Sequence, residues 1–578
     1  MVRADLTSSL FKFHHNIFDE FEMSTDTTQS KGLTDKTFGS THHLHELDFQ
    51  SSCDGDVENA SQFKEAGLKR ELDGRHLRFL ALGSGIGTGL FVGSANILVN
   101  GGPASLMINF IITGLMIITV IFAIGEMVAA YPMMSTYSTI MSRFVDPSIG
   151  FSIGICYLMT WLIILPVELT AATIVISFWD VNEVVPKGVW IAIIIVGVFS
   201  MNMIGVRVFG EFEFAATTVK MISIVGFIIC AIVIDCGGAP NHHYFGAGTW
   251  HNPGSFRNGF KGFCSSFAFA GLAYGGTEIV GISAAEAFSP RLFLPKVAKY
   301  VVYRVVFFYL LPLFLITLLV PYDHSNLQNG SSGSRASPFV IAIQAGKIYA
   351  LPKIFNAVIL ISVISVTNAA VYAGSRLILS MTERKFLPKF LGYMDRSGRP
   401  IAAYCCTFAF ALLGFLTYSA SEDVIFDWLG TISGLSEILL WAALCLAHLR
   451  FRLACKRQKL DIKILPWVSP LGIYGSIFGF IINILLLVAT FYTAAFPFHD
   501  GAKSGEQRAN SFFKAYLSGV IMIVAFVSHK IITRSRFVRT DEIDLVSGRR
   551  DPVTADEIAA EKRKEHMTTW ERVVNYLF

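Results

Sequence analysis

From Arg78 to about Ile532 the chain alternates long apolar stretches with short polar connections. Ser105–Ile124, Val189–Ile204, Ile222–Ile234 and Tyr474–Ala495 carry almost no charge. Several such stretches reach the roughly 20 residues that an α-helix needs to cross a bilayer. Hydropathy predicts twelve spans, centred near Leu90, Leu115, Ile164, Ile195, Ile224, Ala273, Tyr309, Ile364, Leu412, Ile438, Ile482 and Met522. The predicted fold is therefore an all-α membrane protein. A polar, disordered tail (1–75) precedes a twelve-helix domain (76–533), and a polar tail (534–578) with a candidate amphipathic helix over Thr554–His566 follows it.

Composition supports this and removes alternatives. Hydrophobic residues make up 53% and charged residues 16% of the 578 positions, against about 25% charged in an ordinary soluble domain. The net charge of +4 gives no reason to expect nucleic acid as a partner. Nine cysteines, with no CxxC or metal-like Cys/His spacing, point to apolar filler rather than a disulfide framework or a metal site. His42, His43 and His45 lie in the polar tail and read as solvated. No signal peptide is expected, because the first 60 residues lack an apolar core.

Basic residues predict orientation. Connections sharing a side with the N-terminus carry Arg291, Lys296, Lys299 and Arg304, then Arg384, Lys385, Lys389, Arg396 and Arg399. After span ten come Arg450, Arg452, Lys456, Arg457, Lys459 and Lys463. With an even number of spans, the positive-inside rule puts both termini in the cytosol. Asn329-Gly330-Ser331 then falls outside, as a weak glycosylation signal.

Two spans are interrupted. Span one contains Gly83-Ser84-Gly85-Ile86-Gly87-Thr88-Gly89, and each glycine costs a helix interior roughly 1 kcal/mol against alanine. The string is not a dinucleotide loop: Thr88 breaks GxGxxG and no βαβ unit surrounds it. Span six contains Ala270-Gly271-Leu272-Ala273-Tyr274-Gly275-Gly276-Thr277. Paired, glycine-interrupted spans at corresponding places in two halves point to the binding site of an inverted-repeat transporter. A half-helix N-terminus offers free N–H groups and a positive dipole end to a carboxylate, and C-terminal carbonyls can receive an ammonium. A zwitterionic amino acid fits such a pair. The bland alternative is close helix packing through small residues.

Ionisable groups within spans are functional candidates, because insertion costs about 2.5–3.5 kcal/mol each. Glu126 lies near the inner end of span two, Glu168 in mid-span three, Glu278 after the break of span six and Glu437 near the middle of span ten. Lys220 is expected in span five, about one and a half turns from its inner end. It either snorkels to the interface or acts as a fixed cation, replacing a bound sodium ion between spans one, five and eight. Glu126 and Glu278 either staple the broken helices or transfer protons. Glu168 reads as structural. Glu437 either pairs with a cationic substrate or makes an internal hydrogen bond.

A run of motifs in this order resembles the fungal amino acid permeases, the yeast amino acid transporter branch of the amino acid–polyamine–organocation superfamily. It comprises Leu68-Lys69-Arg70, Arg75-His76-Leu77, Ile86-Gly87-Thr88-Gly89-Leu90-Phe91-Val92-Gly93, Gly101-Gly102-Pro103-Ala104, Pro166-Val167-Glu168-Leu169 and Phe209-Gly210-Glu211-Phe212-Glu213-Phe214. It continues through Gly276-Thr277-Glu278, Ala285-Glu286-Ala287, Pro338-Phe339-Val340, Phe355-Asn356-Ala357, Ile432-Ser433-Gly434-Leu435-Ser436, His448-Leu449-Arg450-Phe451-Arg452, Asp544-Leu545 and Gly548-Arg549-Arg550. The resemblance covers roughly 66–552 and implies a 5+5 inverted repeat (about 76–236 and 260–450) plus two helices (about 470–533). It also implies alternating access and proton-coupled import of L-amino acids at a plasma membrane. By match to the motif, Ile86, Gly87, Thr88 and Gly89 would meet the substrate carboxylate, Tyr274, Gly275 and Thr277 would line the ammonium and side-chain pocket, and Lys220 would be the family's span-five lysine. Ser84, Tyr274, Gly275, the neighbours of Asn368, and Glu437 depart from the usual residues, so the substrate is not given by the family. An acid at Glu437 would favour Lys, Arg or ornithine.

The alternatives are a sensor with the permease fold and a permease for another small organic cation. An enzyme finds no support, since there is no HExxH, no paired intramembrane Asp and no Ser/His constellation. No cofactor is expected; the expected partners are an amino acid, a proton and the lipid bilayer. Lys31, Lys36 and Lys64 are candidate acceptors for ubiquitin-ligase machinery, by the same resemblance.

Overall fold

The computed structural model describes residues 74–131, 136–180, 184–283, 298–328, 337–396, 398–418, 422–496 and 505–549, all within the unit Lys64–Phe578. The calls on Lys31, Lys36, Lys64, the His42–His45 cluster, Asn329, Arg291, Lys296 and the Thr554–His566 helix lie outside these residues.

The described chain is helical, without a named strand; one isolated bridge joins Cys236 and Tyr244. The helices that matter are α1 (Gly74–Gly83), α2 (Ser94–Gly101), α3 (Pro103–Ala130), α4 (Tyr137–Phe144), α5 (Pro147–Ile176), α6 (Lys187–Ile204), α7 (Val206–Asp235) and α8 (Phe267–Tyr274). They continue with α9 (Ile279–Ser283), α10 (Ala298–Leu319), α11 (Pro338–Ala345), α12 (Leu351–Glu383), α13 (Ile401–Ala411), α14 (Glu422–Arg457), α15 (Gly472–Ala495) and α16 (Gly505–Thr533).

Among the described residues, nine helices are long and apolar enough to cross a membrane, and they contain nine of the twelve predicted centres. The other three centres fall where helices are short. Leu90 sits in a π-helical turn (Gly89–Gly93), Ala273 near the end of α8, and Leu412 where α13 tightens into a 3-10 segment.

Local sequence explains several boundaries. Gly102, at φ +84°, ends α2 and turns the chain directly into α3, whose first residue is Pro103. Only glycine adopts that backbone freely, and proline at N1 loses no helical hydrogen bond. α5 begins the same way, at Pro147, behind Asp146, whose carboxylate accepts from Ser148 N at 2.6 Å. Within α5, Pro166 lacks the N–H that would bond Leu162 and clashes with that carbonyl.

Burial separates inner from outer helices. In their most apolar windows α5, α12 and α14 are 78%, 72% and 78% buried, against 28% for α15 and 11% for α16. α5 packs against α12 and α14, while α8 packs against the Gly89–Gly93 turn, α3 and α14. The two interrupted segments are therefore held among the most enclosed helices.

Three expectations need correction. Lys220 is not near an end of its helix: it lies fourteen residues past Val206, about 21 Å along α7 at 1.5 Å per residue. Arg304 is not in a connection but fully buried in α10. Arg450, Arg452, Lys456 and Arg457 do not follow span ten; they form the last turns of α14. In addition, the first part of the C-terminal polar segment is docked rather than free. Ile543 and Leu545 are buried, Val538 N donates to Val145 O, and Tyr131 Oη donates to Leu545 O.

Candidate functional site

Glycine places the two breaks, and their partners come from distant helices. α1 stops at Gly83, and helical structure resumes at Thr88. α8 stops at Tyr274, and α9 starts at Ile279. The breaks meet. Ser84 Oγ donates to Gly276 O at 2.9 Å, and Tyr309 Oη lies 2.6 Å from Gly85 O and 2.8 Å from Ala273 O. The approach is too close for side chains: a Cβ on Gly89 would stand 2.5 Å from Ala273 Cα. Gly276, at φ +80°, supplies the left-handed turn that the second break requires.

A narrow cleft lies between the breaks. One wall is backbone of the first break (Ser84, Gly85, Gly87 and Gly89), and a second is Gly275, Gly276 and Leu272. Trp161, Ile164 and Glu168 of α5 close it together with Val366 of α12. Unwound backbone at this depth is tolerated because protein and cavity surround it. The first N–H groups of the helix resuming at Thr88 have no intrahelical acceptor. Glu168 sits beside them, with Thr88 Oγ1 donating to its Oε1 at 2.6 Å.

Cations cap the other side of the first break. Lys220 Nζ donates to Gly83 O at 3.1 Å and to Ser365 Oγ at 2.9 Å, 3.9 Å from Glu213 Oε1. Ser365 Oγ lies 2.8 and 2.7 Å from the two Glu213 oxygens. Arg304 donates to Ala81 O at 3.0 Å and to Thr277 Oγ1. The terminal carbonyls of α1, a negative dipole end, thus meet two buried positive groups. Lys220 is fully buried, which removes the snorkelling alternative, and it joins α1, α7 and α12, the elements expected as spans one, five and eight.

Carboxyls gather at the second break. Glu278 Oε1 accepts from Gly276 N and Tyr157 Oη, each at 3.2 Å, and Oε2 accepts from Trp441 Nε1 at 3.5 Å. Glu437 Oε1 would stand 3.2 Å from a Cβ on Gly275, against the cavity wall.

Of the predicted site residues, Ser84, Gly87, Gly89 and Gly275 line the cavity. Ile86 and Thr88 lie in the first break, both fully buried. Tyr274 and Thr277 are turned to structural partners. Tyr274 Oη donates to Phe110 O at 3.0 Å, and Thr277 Oγ1 donates to Tyr274 O at 2.5 Å. Asn368 is turned to α6, its Oδ1 accepting from Asn202 at 2.6 Å. Glu126 does not staple the breaks; it pairs with Arg452 at 2.6 Å and accepts from Ser469 N at 2.8 Å. Glu168, read as structural, does hold the first break but also lines the cavity.

Glu213, Arg304, Tyr309, Trp161 and Ser365 were missed. Glu213 carried a signal: it stands seven residues before Lys220, on the same helix face. Arg304 and Tyr309 carried none, because their partners lie more than 200 residues away for Ala81 and Gly85.

Described residues that are helical and rich in apolar spans, with two interrupted helices meeting across a cleft, have the architecture of a membrane permease. The chain belongs to the amino acid permease family, whose model matches residues 76–542. It is 45% identical over 489 residues to amino-acid permease GAP5 of Candida albicans, covering 84% of this chain and 78% of that one. It is 40% identical over 525 residues to the general amino-acid permease GAP1 of Saccharomyces cerevisiae, covering 88% and 86%. It is also 40% identical over 531 residues to the tryptophan permease of the same yeast, covering 90% and 88%.

Proposed function

We propose that this protein imports L-amino acids across the plasma membrane by alternating access, coupled to protons. The observation that carries the reading is the meeting of two broken helices across one cavity, with opposite charge on their two sides. The resuming helix at Thr88 offers backbone N–H groups to a carboxylate. The carbonyl end of α8 and the acids Glu278 and Glu437 suit an ammonium. Relatives named for general and tryptophan transport support an amino acid as cargo, and differ enough to leave its side chain open.

The twelve predicted spans form two inverted five-helix repeats and two added helices in this reading, with both termini cytosolic. Lys220 is the fixed cation that ties the first break to α7 and α12, so movement of α1 is felt at Glu213 and Ser365. Glu126, joined to Arg452 and Ser469, acts at the inner end as a gating contact rather than as a proton site. Regulation through ubiquitin on the tails belongs to the same reading.

The test is uptake of a labelled amino acid panel in cells lacking their own permeases, at acidic and neutral pH, with and without a protonophore. Faster uptake at acidic pH that the protonophore abolishes is the expected result. No uptake by protein shown to be at the surface would overturn transport and favour a sensor.

A further inference from the structure

Glu437 and Glu278 are both fully buried, and the surroundings treat them differently. Glu278 receives three donors: a backbone N–H, a phenol and an indole. Neither oxygen of Glu437 receives any. The two carboxyls meet at one turn: Glu278 Oε1 accepts from Gly276 N, and Glu437 Oε1 would stand 3.2 Å from a Cβ on the neighbouring Gly275. Two ionised carboxylates have no donor between them, so this contact becomes a hydrogen bond only when one carries a proton. α14 presents both contacts from one face, since Trp441 follows Glu437 by one helical turn.

The groups facing the pair are few. Tyr137 of α4 donates to Glu278 O at 2.5 Å, and from α5 Tyr157 faces Glu278 and Cys156 faces Glu437. Arg304 of α10 stops one residue away, at Thr277. Among the described residues no Lys, Arg or His forms an ion pair with either acid. Two negative charges at one buried turn, with no cation paired to either, would repel strongly.

We propose that Glu437 and Glu278 form a single-proton site, with a proton on Glu437 donated to Glu278, and that this is the proton carried with the substrate. The inference rests on the proton-coupled reading above and names the group that does the coupling. Glu437 abuts Gly275 at the cavity wall, so an arriving ammonium changes the field at the pair directly. The proton enters from the outer solution with substrate and leaves to the inner solution, one per cycle, with no bond made or broken other than O–H.

The test uses the full chain in proteoliposomes, with labelled L-leucine, L-arginine and L-tryptophan as probes. Two rates are compared: accumulation driven by an inward proton gradient, and counterflow at equal pH. For Glu437→Gln the ratio of accumulation to counterflow is expected to fall at least tenfold and the pH profile of uptake to flatten. Glu437→Asp restores both in part. Proton uptake on adding substrate to the wild-type protein in weakly buffered detergent solution gives a readout independent of any variant. A ratio and profile like wild type in Glu437→Gln overturns the proposal. So does a changed leucine-to-arginine preference with proton driving intact, which makes Glu437 a specificity residue. So does the absence of proton uptake by the wild type. Counterflow without gradient-driven accumulation in the wild type itself overturns proton coupling as a whole, a different failure.

Discussion

Replacing Lys220 by Met removes a fully buried ammonium from a chain of contacts linking Gly83 O, Ser365 and Glu213. What remains is a carboxylate 2% exposed, with Ser365 as its hydrogen-bond partner, and a half-helix carbonyl without its cap. Breaking a buried pair from one side costs about 3–5 kcal/mol, most of it the stranded charge. Glu213→Gln strands the ammonium instead, and a similar loss is expected. The double variant strands neither, so its cost falls below the sum by about 2–3 kcal/mol. That coupling corresponds to about a 30- to 150-fold difference in the unfolding equilibrium, at 1.4 kcal/mol per decade. The assay is reversible unfolding of the four purified proteins in mixed detergent, followed by tryptophan fluorescence. Lys220→Arg is not expected to substitute, since a planar fork does not fit one carbonyl and one hydroxyl as a compact ammonium does. Additivity within about 0.5 kcal/mol would refute the reasoning, because independent sites give that result.

Gly89→Ala places a methyl 2.5 Å from Ala273 Cα and 2.7 Å from its nitrogen, both backbone, so the helices must separate. The expected cost is about 1–3 kcal/mol with uptake lost; normal uptake at normal surface abundance counts against the close approach. Tyr309→Phe leaves Gly85 O and Ala273 O without their shared hydroxyl. A loss of about 1–3 kcal/mol, read as a lower Tm, is expected, and an unchanged Tm speaks against the bridge. Burial pushes the Asp146 carboxyl up, but bonds from Lys530, Ser148 and Ser535 outweigh it and hold it below the ordinary value of 3.8. A depressed group stabilises above its unfolded pKa and ceases to as pH falls through the folded one. The Tm gap between wild type and Asp146→Asn should therefore be present at neutral pH and shrink below about pH 4; a gap that widens on acidification contradicts the sign.

The spans were legible because membrane insertion is decided locally: a run such as Leu106–Ile124 is apolar whatever it packs against. The breaks were legible for the same reason, since four glycines in Gly83–Gly89 weaken a helix before any tertiary contact forms. What escaped is pairing at long range. Arg304 looked like a cytosolic flank because it follows Lys296 and Lys299, whereas its partner Ala81 is 223 residues earlier. Glu126 was read as a staple or proton site because it is ionisable within a span, yet its partner Arg452 is 326 residues on. Hydropathy windows average over such residues and carry no information about which distant carbonyl or acid each will meet. Span nine, centred near Leu412, is irregular for a further reason. Leu412–Tyr418 is apolar enough to continue α13, but the chain tightens there into a 3-10 segment.

The segregation of charge explains why both breaks persist in one closed arrangement. Cations from α7 and α10 cap the end of α1, and the donors around Glu278 hold the turn after α8. The bonds that join the two breaks are few: Ser84 to Gly276, Tyr309 to Gly85 and Ala273, and Arg304 to Ala81 and Thr277. At about 1 kcal/mol net for each hydrogen bond, they close the cavity by only a few kcal/mol. In the proposed cycle a zwitterion entering between the breaks would offer its own acceptors and donors to the same backbone, offsetting the loss of those bonds as the helices part. Ligand and motion are then linked by differential contact alone, the only means by which a ligand shifts a conformational equilibrium. The Lys220 cap on α1 and the donors around Glu278 stay with their half-helices in the proposed cycle, so the half-helices move as units and the bonds between the breaks are what change.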